Sequence, residues 1–216
     1  TAAPAATSSD VDGTFVTTVA DQVVTITRQN DGTDEAAGAI TDLTLSNIGN
    51  PGVSGNTGTF TITTTDSSGA TIDTLATVPA VRITGVISSA TITPASLVAG
   101  ASGNVNIVFT TANDIPVDGV VRVIFPTGFD LATGTPAVTA AGNLGANLAA
   151  SVSGQTLILT RSDNGVFSAG ASGTVTVSNI GNPDVTGPTG TFTITTTTAT
   201  PADIDTLTSV AGVTIS

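Results

Sequence analysis

The chain has 216 residues, carries a net charge of −12 at pH 7 and is only 9% charged, where a typical globular domain is about a quarter charged. Its only cations are Arg28, Arg82, Arg122 and Arg161, and lysine, histidine, cysteine, methionine, tryptophan and tyrosine are all absent. These absences exclude His- and Cys-based nucleophiles, the usual zinc and haem ligands, disulfides, Schiff bases and lysine isopeptide staples. The acidic balance excludes nucleic acid as a partner.

Along the chain the predicted elements are short strands. Gln22 to Arg28 sets Val24 and Ile26 on one face, and Leu43 and Leu45 alternate in the same way. From Thr59 to Thr64, Phe60 and Ile62 point one way and the threonines the other, the period-2 signature of a half-buried strand. Val105, Ile107 and Phe109 form the next inward set, then Val121, Val123 and Phe125 opposite a face carrying Arg122. Leu157 with Leu159 and Val175 with Val177 complete the series. Turn chemistry separates these runs at Asn30 to Gly32, Asn50-Pro51, Asp118-Gly119, Asp163 to Gly165 and Asn182-Pro183. No segment carries a helical stripe, and no apolar run approaches 18 residues, so no membrane span is expected. The opening residues lack the charged and apolar regions of an export signal, which is therefore expected to have been removed or left out.

The chain also repeats itself. Ser46 to Pro51 recurs as Ser178 to Pro183, Gly58 to Thr64 as Gly190 to Thr196, and Ile72 to Leu75 as Ile204 to Leu207, each at an offset of 132. Residues 46–84 and 178–216 share 25 identities in 39 positions. Gln22 to Arg28 lies against Gln155 to Arg161 at an offset of 133. A period this long exceeds that of solenoids and propellers, so the unit is a domain in tandem. Residues 1–84 match only 133–216, and the front portion, 85–132, has no upstream copy. The expected architecture is all-β: two tandem β-sandwich domains, with 1–84 incomplete at its N-terminal side and 85–216 complete. Either 1–84 is a smaller, self-sufficient sandwich, or its front strands come from a preceding part of a longer precursor or from a neighbouring subunit.

Carboxylates are the only ionisable groups left for chemistry. No pair stands in a setting that predicts glycosidase work, and Asp73 and Asp205, which are repeat equivalents beside Ile72 and Ile204, read as turn or strand-end requirements. The best local cluster for calcium is Asp31, Asp34 and Glu35, with Asp10 and Asp12 a second one; neither has EF-hand spacing, and a solvated acidic turn is the competing reading. The threonine runs 63–65 and 195–198 suit either a β edge or O-linked sugars, and no Asn-x-Ser/Thr sequon occurs. The phenylalanines read as core. Without tryptophan or tyrosine there is no aromatic platform for sugars, which weakens a lectin reading. Arg28 and Arg161, again repeat equivalents, suggest a structural ion pair, with a contact between subunits as the alternative.

The run from Ile115 to Phe129, IPVDGVVRVIFPTGF, together with the Ser-Asn-Ile-Gly-Asn-Pro turn and the Gly-Thr-Phe-Thr-Ile-Thr-Thr strand, resembles immunoglobulin-like (Ig-like) repeats of microbial extracellular proteins. Those are S-layer components, adhesins and filament subunits. The resemblance implies a secreted module without catalytic activity or cofactor. From it follows the expectation of a structural subunit that self-assembles head to tail into a homopolymer, a filament or surface layer, with β-strand donation completing the open sandwich. The alternative is a stalk or adhesin module, stabilised by calcium, that contacts a glycan or other surface. An accessory domain of a larger secreted enzyme is a third reading.

Overall fold

The computed structural model describes residues 2–39, 41–162 and 165–216; the turn expected at Asp163 to Gly165 falls at Asp163 and Asn164, outside the described residues. All regular structure among the described residues is β, as the alternation predicts. The chain divides into two compact units, Thr1–Asn50 and Pro51–Ser216.

The first unit holds β1 (Ala5–Thr7), β2 (Phe15–Ala20), β3 (Val23–Arg28) and β4 (Thr44–Ser46). β1 pairs with β4 and β2 with β3, both antiparallel, as separate two-stranded sheets. The β2–β3 hairpin turns on Asp21 and Gln22, with Asp21 at a φ of 53°, a left-handed position that Asp tolerates better than most residues.

The second unit begins with β5 (Gly55–Asn56), β6 (Phe60–Thr65), β7 (Thr71–Val78) and β8 (Arg82–Ile83). It continues through β9 (Gly85–Val86), β10 (Ser89–Pro94), β11 (Ser102–Thr110), β12 (Val120–Ile124), β13 (Ala137–Ala140) and β14 (Leu148–Ser153). Then come β15 (Thr156–Arg161), β16 (Ser172–Gly181), β17 (Gly187–Pro188), β18 (Phe192–Thr197), β19 (Asp203–Val210) and β20 (Thr214–Ile215). Two larger sheets dominate, one of four strands in the order β10-β11-β16-β13 and one of six in the order β14-β15-β12-β18-β19-β9. Only β9 joins in parallel, along β19.

Both sheets feed one apolar core. Ile92, Val105, Ile107, Phe109, Val175 and Val177 come from the four-stranded sheet, and Val121, Val123, Leu157, Leu159, Phe192 and Ile194 from the six-stranded one. Phe125, Phe129 and Phe192 meet with centroids 5.3–5.5 Å apart, two of the three contacts edge-to-face, the arrangement that ring quadrupoles favour. The inward residues are those the period-2 pattern selects. Arg122, between Val121 and Val123, lies outside this cluster.

The repeat is reproduced in strand register. Ala5 opposes Ser46 as Ala137 opposes Ser178, and Phe15 opposes Arg28 as Leu148 opposes Arg161. Gly55 opposes Ile83 as Gly187 opposes Ile215. β6–β7 and β18–β19 share every pair, from Phe60–Val78 and Phe192–Val210 to Thr65–Thr71 and Thr197–Asp203, irregularities included. Asn47 and Asn179 even hold the same left-handed backbone, with φ 61° and 62°. What differs is the neighbourhood. β6–β7 stands as a two-stranded sheet, whereas β18–β19 sits inside the six-stranded one, with β12 along β18 and β9 along β19.

Burial follows. Phe192 and Ile194 are 0% exposed and Ile204 is 5%, while Phe60 is 47%, Ile62 58% and Ile72 64% exposed. The expectation that Phe60 is a core residue is therefore corrected: the alternation is present, but among the described residues no second layer covers the face it creates. In the first unit, Leu45 and Ile48 are exposed, while their counterparts Val177 and Ile180 are buried.

Candidate functional site

The chemical interest of 85–216 lies in a carboxylate clasp. Asp205 stands in the middle of β19 and is completely buried. Its Oδ2 accepts hydrogen bonds from Thr111 Oγ1 at 2.5 Å and from the backbone N–H groups of Ala112 and Asn113, both at 2.9 Å. Asn113 Nδ2 donates to Oδ1 at 2.7 Å. Four donors from one tripeptide thus compensate the burial of a charge. Asn113 also accepts, through Oδ1, the N–H of Ser54 at 3.1 Å. Gly85 makes room for the clasp: a Cβ there would lie 2.0 Å from Asp205 Oδ1 and 2.2 Å from Asn113 Nδ2.

The structure thus gives Asp205 a role inside a strand, where the sequence pattern suggests a turn or strand end. Its repeat equivalent, Asp73, occupies the same register opposite Thr64 and keeps one shared contact. The N–H of Asp73 donates to Thr64 Oγ1 and that of Asp205 to Thr196 Oγ1, both at 3.1 Å. Yet Asp73 is exposed. The recurrence of Ile-Asp-Thr-Leu in both copies is the one sequence signal that pointed here.

A second polar centre surrounds Arg161, which is buried. Its guanidinium donates to the carbonyls of Leu144 (2.8 Å), Ile115 (2.9 Å), Pro116 (2.6 Å) and Gly165 (3.0 Å). Arg28 repeats the pattern in part: Nε donates to Asp12 O at 2.8 Å, and Nη2 contacts Thr33 O and forms an ion pair with Asp12. At Arg28 the expected structural ion pair is formed with Asp12. At Arg161 these backbone carbonyls, two of them from the 85–132 segment, hold the guanidinium.

The calcium candidates are engaged differently. Asp31 accepts hydrogen bonds from Thr14 N (2.8 Å) and Thr14 Oγ1 (2.5 Å), and these bonds hold its carboxyl below the usual carboxylate range. Asp12 is lowered chiefly by Thr33, with help from Arg28. Asp34 and Glu35 are exposed on the loop that follows. Asp10 and Asp42 meet over Ser8 and Ser9, where Ser9 N donates to Asp42 at 3.0 Å. Among the described residues no three carboxylates gather as a metal site.

Elsewhere, a small polar cleft of about 200 Å³ is lined by Asp130, Asn179, Asn182 and Asp184 among others. Asp130 already caps its own loop, accepting from the N–H groups of Ala132 and Thr133 at 2.9 and 3.1 Å. No helix of the described residues is long and apolar enough to cross a membrane.

No family model matches the chain, and no curated protein matches it in sequence. Among solved structures, it is similar to "BslA - A bacterial hydrophobin", at 15% identity and a TM-score of 0.35, over 59% of this chain and 95% of that one.

Proposed function

We propose that this chain is a non-catalytic structural piece of an extracellular filament or surface layer. It is built from Ig-like β-sandwich repeats in tandem, with boundaries at 1–84 and 85–216, and it joins head to tail where a neighbour's uncommitted front segment, of the 85–132 kind, completes its first repeat. One observation carries this reading. Residues 1–84 reproduce the strand pairings of 133–216, yet they expose the apolar residues that 133–216 buries. An edge strand with an apolar face and no lysine or proline on it lacks the usual guards against pairing with another chain. With charge so sparse, faces rich in threonine and alanine meet at little desolvation cost.

The test is electron microscopy of a chain in which a second copy of residues 85–132 follows Ser216. That segment then has no back portion of its own and reaches the open repeat of the next molecule. Filaments or linear oligomers are the expected result. Uniform single particles at high concentration would refute head-to-tail joining. The stalk or adhesin alternative, with calcium at Asp31, Asp34 and Glu35, is separated by calorimetry. It requires a Tm that rises with calcium, and the filament reading requires one that does not.

A further inference from the structure

The β6–β7 hairpin shows an unpaired edge and an exposed apolar face, and the second repeat shows what belongs there. Along β18, β12 pairs Val120 with Thr197, Val121 with Thr196, Arg122 with Thr195, Val123 with Ile194 and Ile124 with Thr193. The matching positions on β6 are Thr65, Thr64, Thr63, Ile62 and Thr61. Along β19, β9 pairs Gly85 with Asp205 and Val86 with Thr206, and the matching positions on β7 are Asp73 and Thr74. The carboxylate that the Thr111-Ala112-Asn113 tripeptide grips in the second repeat is exposed in the first.

We infer that the β6–β7 hairpin is the docking site for one occupant, a polypeptide segment of the 85–132 kind that is not committed to a back portion of its own. The occupant carries a glycine to lie over Asp73, a Thr-x-Asn tripeptide 26 positions later to clasp its carboxylate, and an alternating apolar strand to extend along β6. This deepens the proposed function and rests on it for the identity of the neighbour.

The 85–132 segment of a second copy is not the occupant. Within its own chain, β11 is zipped along β16 and β12 lies between β15 and β18. Thr111 to Asn113 already hold Asp205, and Ile115 and Pro116 hold Arg161. Each chain has two back portions and one front portion, so lending the segment would close one repeat and open another.

The experiment places a second copy of residues 85–132 directly ahead of Thr1 in the otherwise full chain, a junction that reproduces the one between 132 and 133. Amide exchange of β6 and β7 is followed by NMR in this chain and in 1–216. The expected result is slowing of β6 exchange by about 100-fold or more in the extended chain, with Asp73→Ala reversing most of the gain there and changing nothing in 1–216. Hairpin amides that stay equally labile in both chains overturn the proposal. So does a dimer of unextended 1–216 in ultracentrifugation with β6 protected, because the occupant is then a second copy. Should the extended chain close its hairpin while the chain extended after Ser216 forms no linear oligomers, docking stands and head-to-tail assembly falls.

Discussion

Asp73 and Asp205 show how one residue type at one register position acquires two energetic roles. Truncating Asp205 to alanine leaves two backbone N–H groups and the side-chain amide of Asn113 without this acceptor, while the Thr111 hydroxyl keeps the Asn113 carbonyl. Each stranded donor is costly, so the expected loss is about 3 kcal/mol or more by urea unfolding of the 85–216 transition. Asp73→Ala is expected to stay within about 0.5 kcal/mol, as exposed substitutions do. The two Phe-Thr-Ile-Thr-Thr-Thr strands make the same comparison for an apolar group. Phe192→Ala removes a ring packed on Phe125 and Phe129 and is expected to cost about 3–5 kcal/mol. Phe60→Ala, on a ring 47% exposed, is expected to change little. Equal effects at the two positions of either pair would contradict the burial described.

At the scale of elements, pairing was readable from the chain and covering was not. Alternation located the strands around Ile26, Phe60, Ile107, Val123, Leu159 and Val175, because period 2 is a property of each strand alone. The fate of the apolar face depends on a layer built from residues far away in sequence: the four-stranded sheet shares its core with the face of β18, and no such layer among the described residues meets that of β6. The clasp was hidden for a similar reason. Thr111 and Asn113 each lie more than 90 positions from Asp205, and only the recurrence of the aspartate between repeats marked it. The β2–β3 hairpin adds a prediction about acid. Asp12 and Asp31 accept hydrogen bonds that lower their pKa from 3.8, so their contribution is whole above that value and fades as the pH falls through the depressed ones. Amides of Thr14 and Thr33 are expected to lose protection below about pH 4, well before the β18 amides do. Simultaneous loss would mean that these carboxylates do not hold the hairpin base.

At the scale of the whole molecule, one repeat carries its front strands within residues 85–132, and residues 1–84 hold no counterpart of them. The segment 85–132 supplies β9 to β12, all three residues that donate to the buried carboxylate and two of the carbonyls around Arg161. Residues 1–84 have the remaining strands and the same local hydrogen bonds, down to the threonine pair Thr63–Thr74 that matches Thr195–Thr206. Isolated two-stranded hairpins are marginal in water, so the two copies are expected to differ in stability even though their sequences agree. β6 and β18 have the same six residues, so their intrinsic exchange rates are nearly equal and each serves as the reference for the other. Side-by-side amide exchange of these strands in one sample of the 1–216 chain is therefore the most direct measurement. β18 is expected to be protected to the level of global unfolding and β6 to exchange orders of magnitude faster; equal protection in the monomer would contradict an uncovered first repeat.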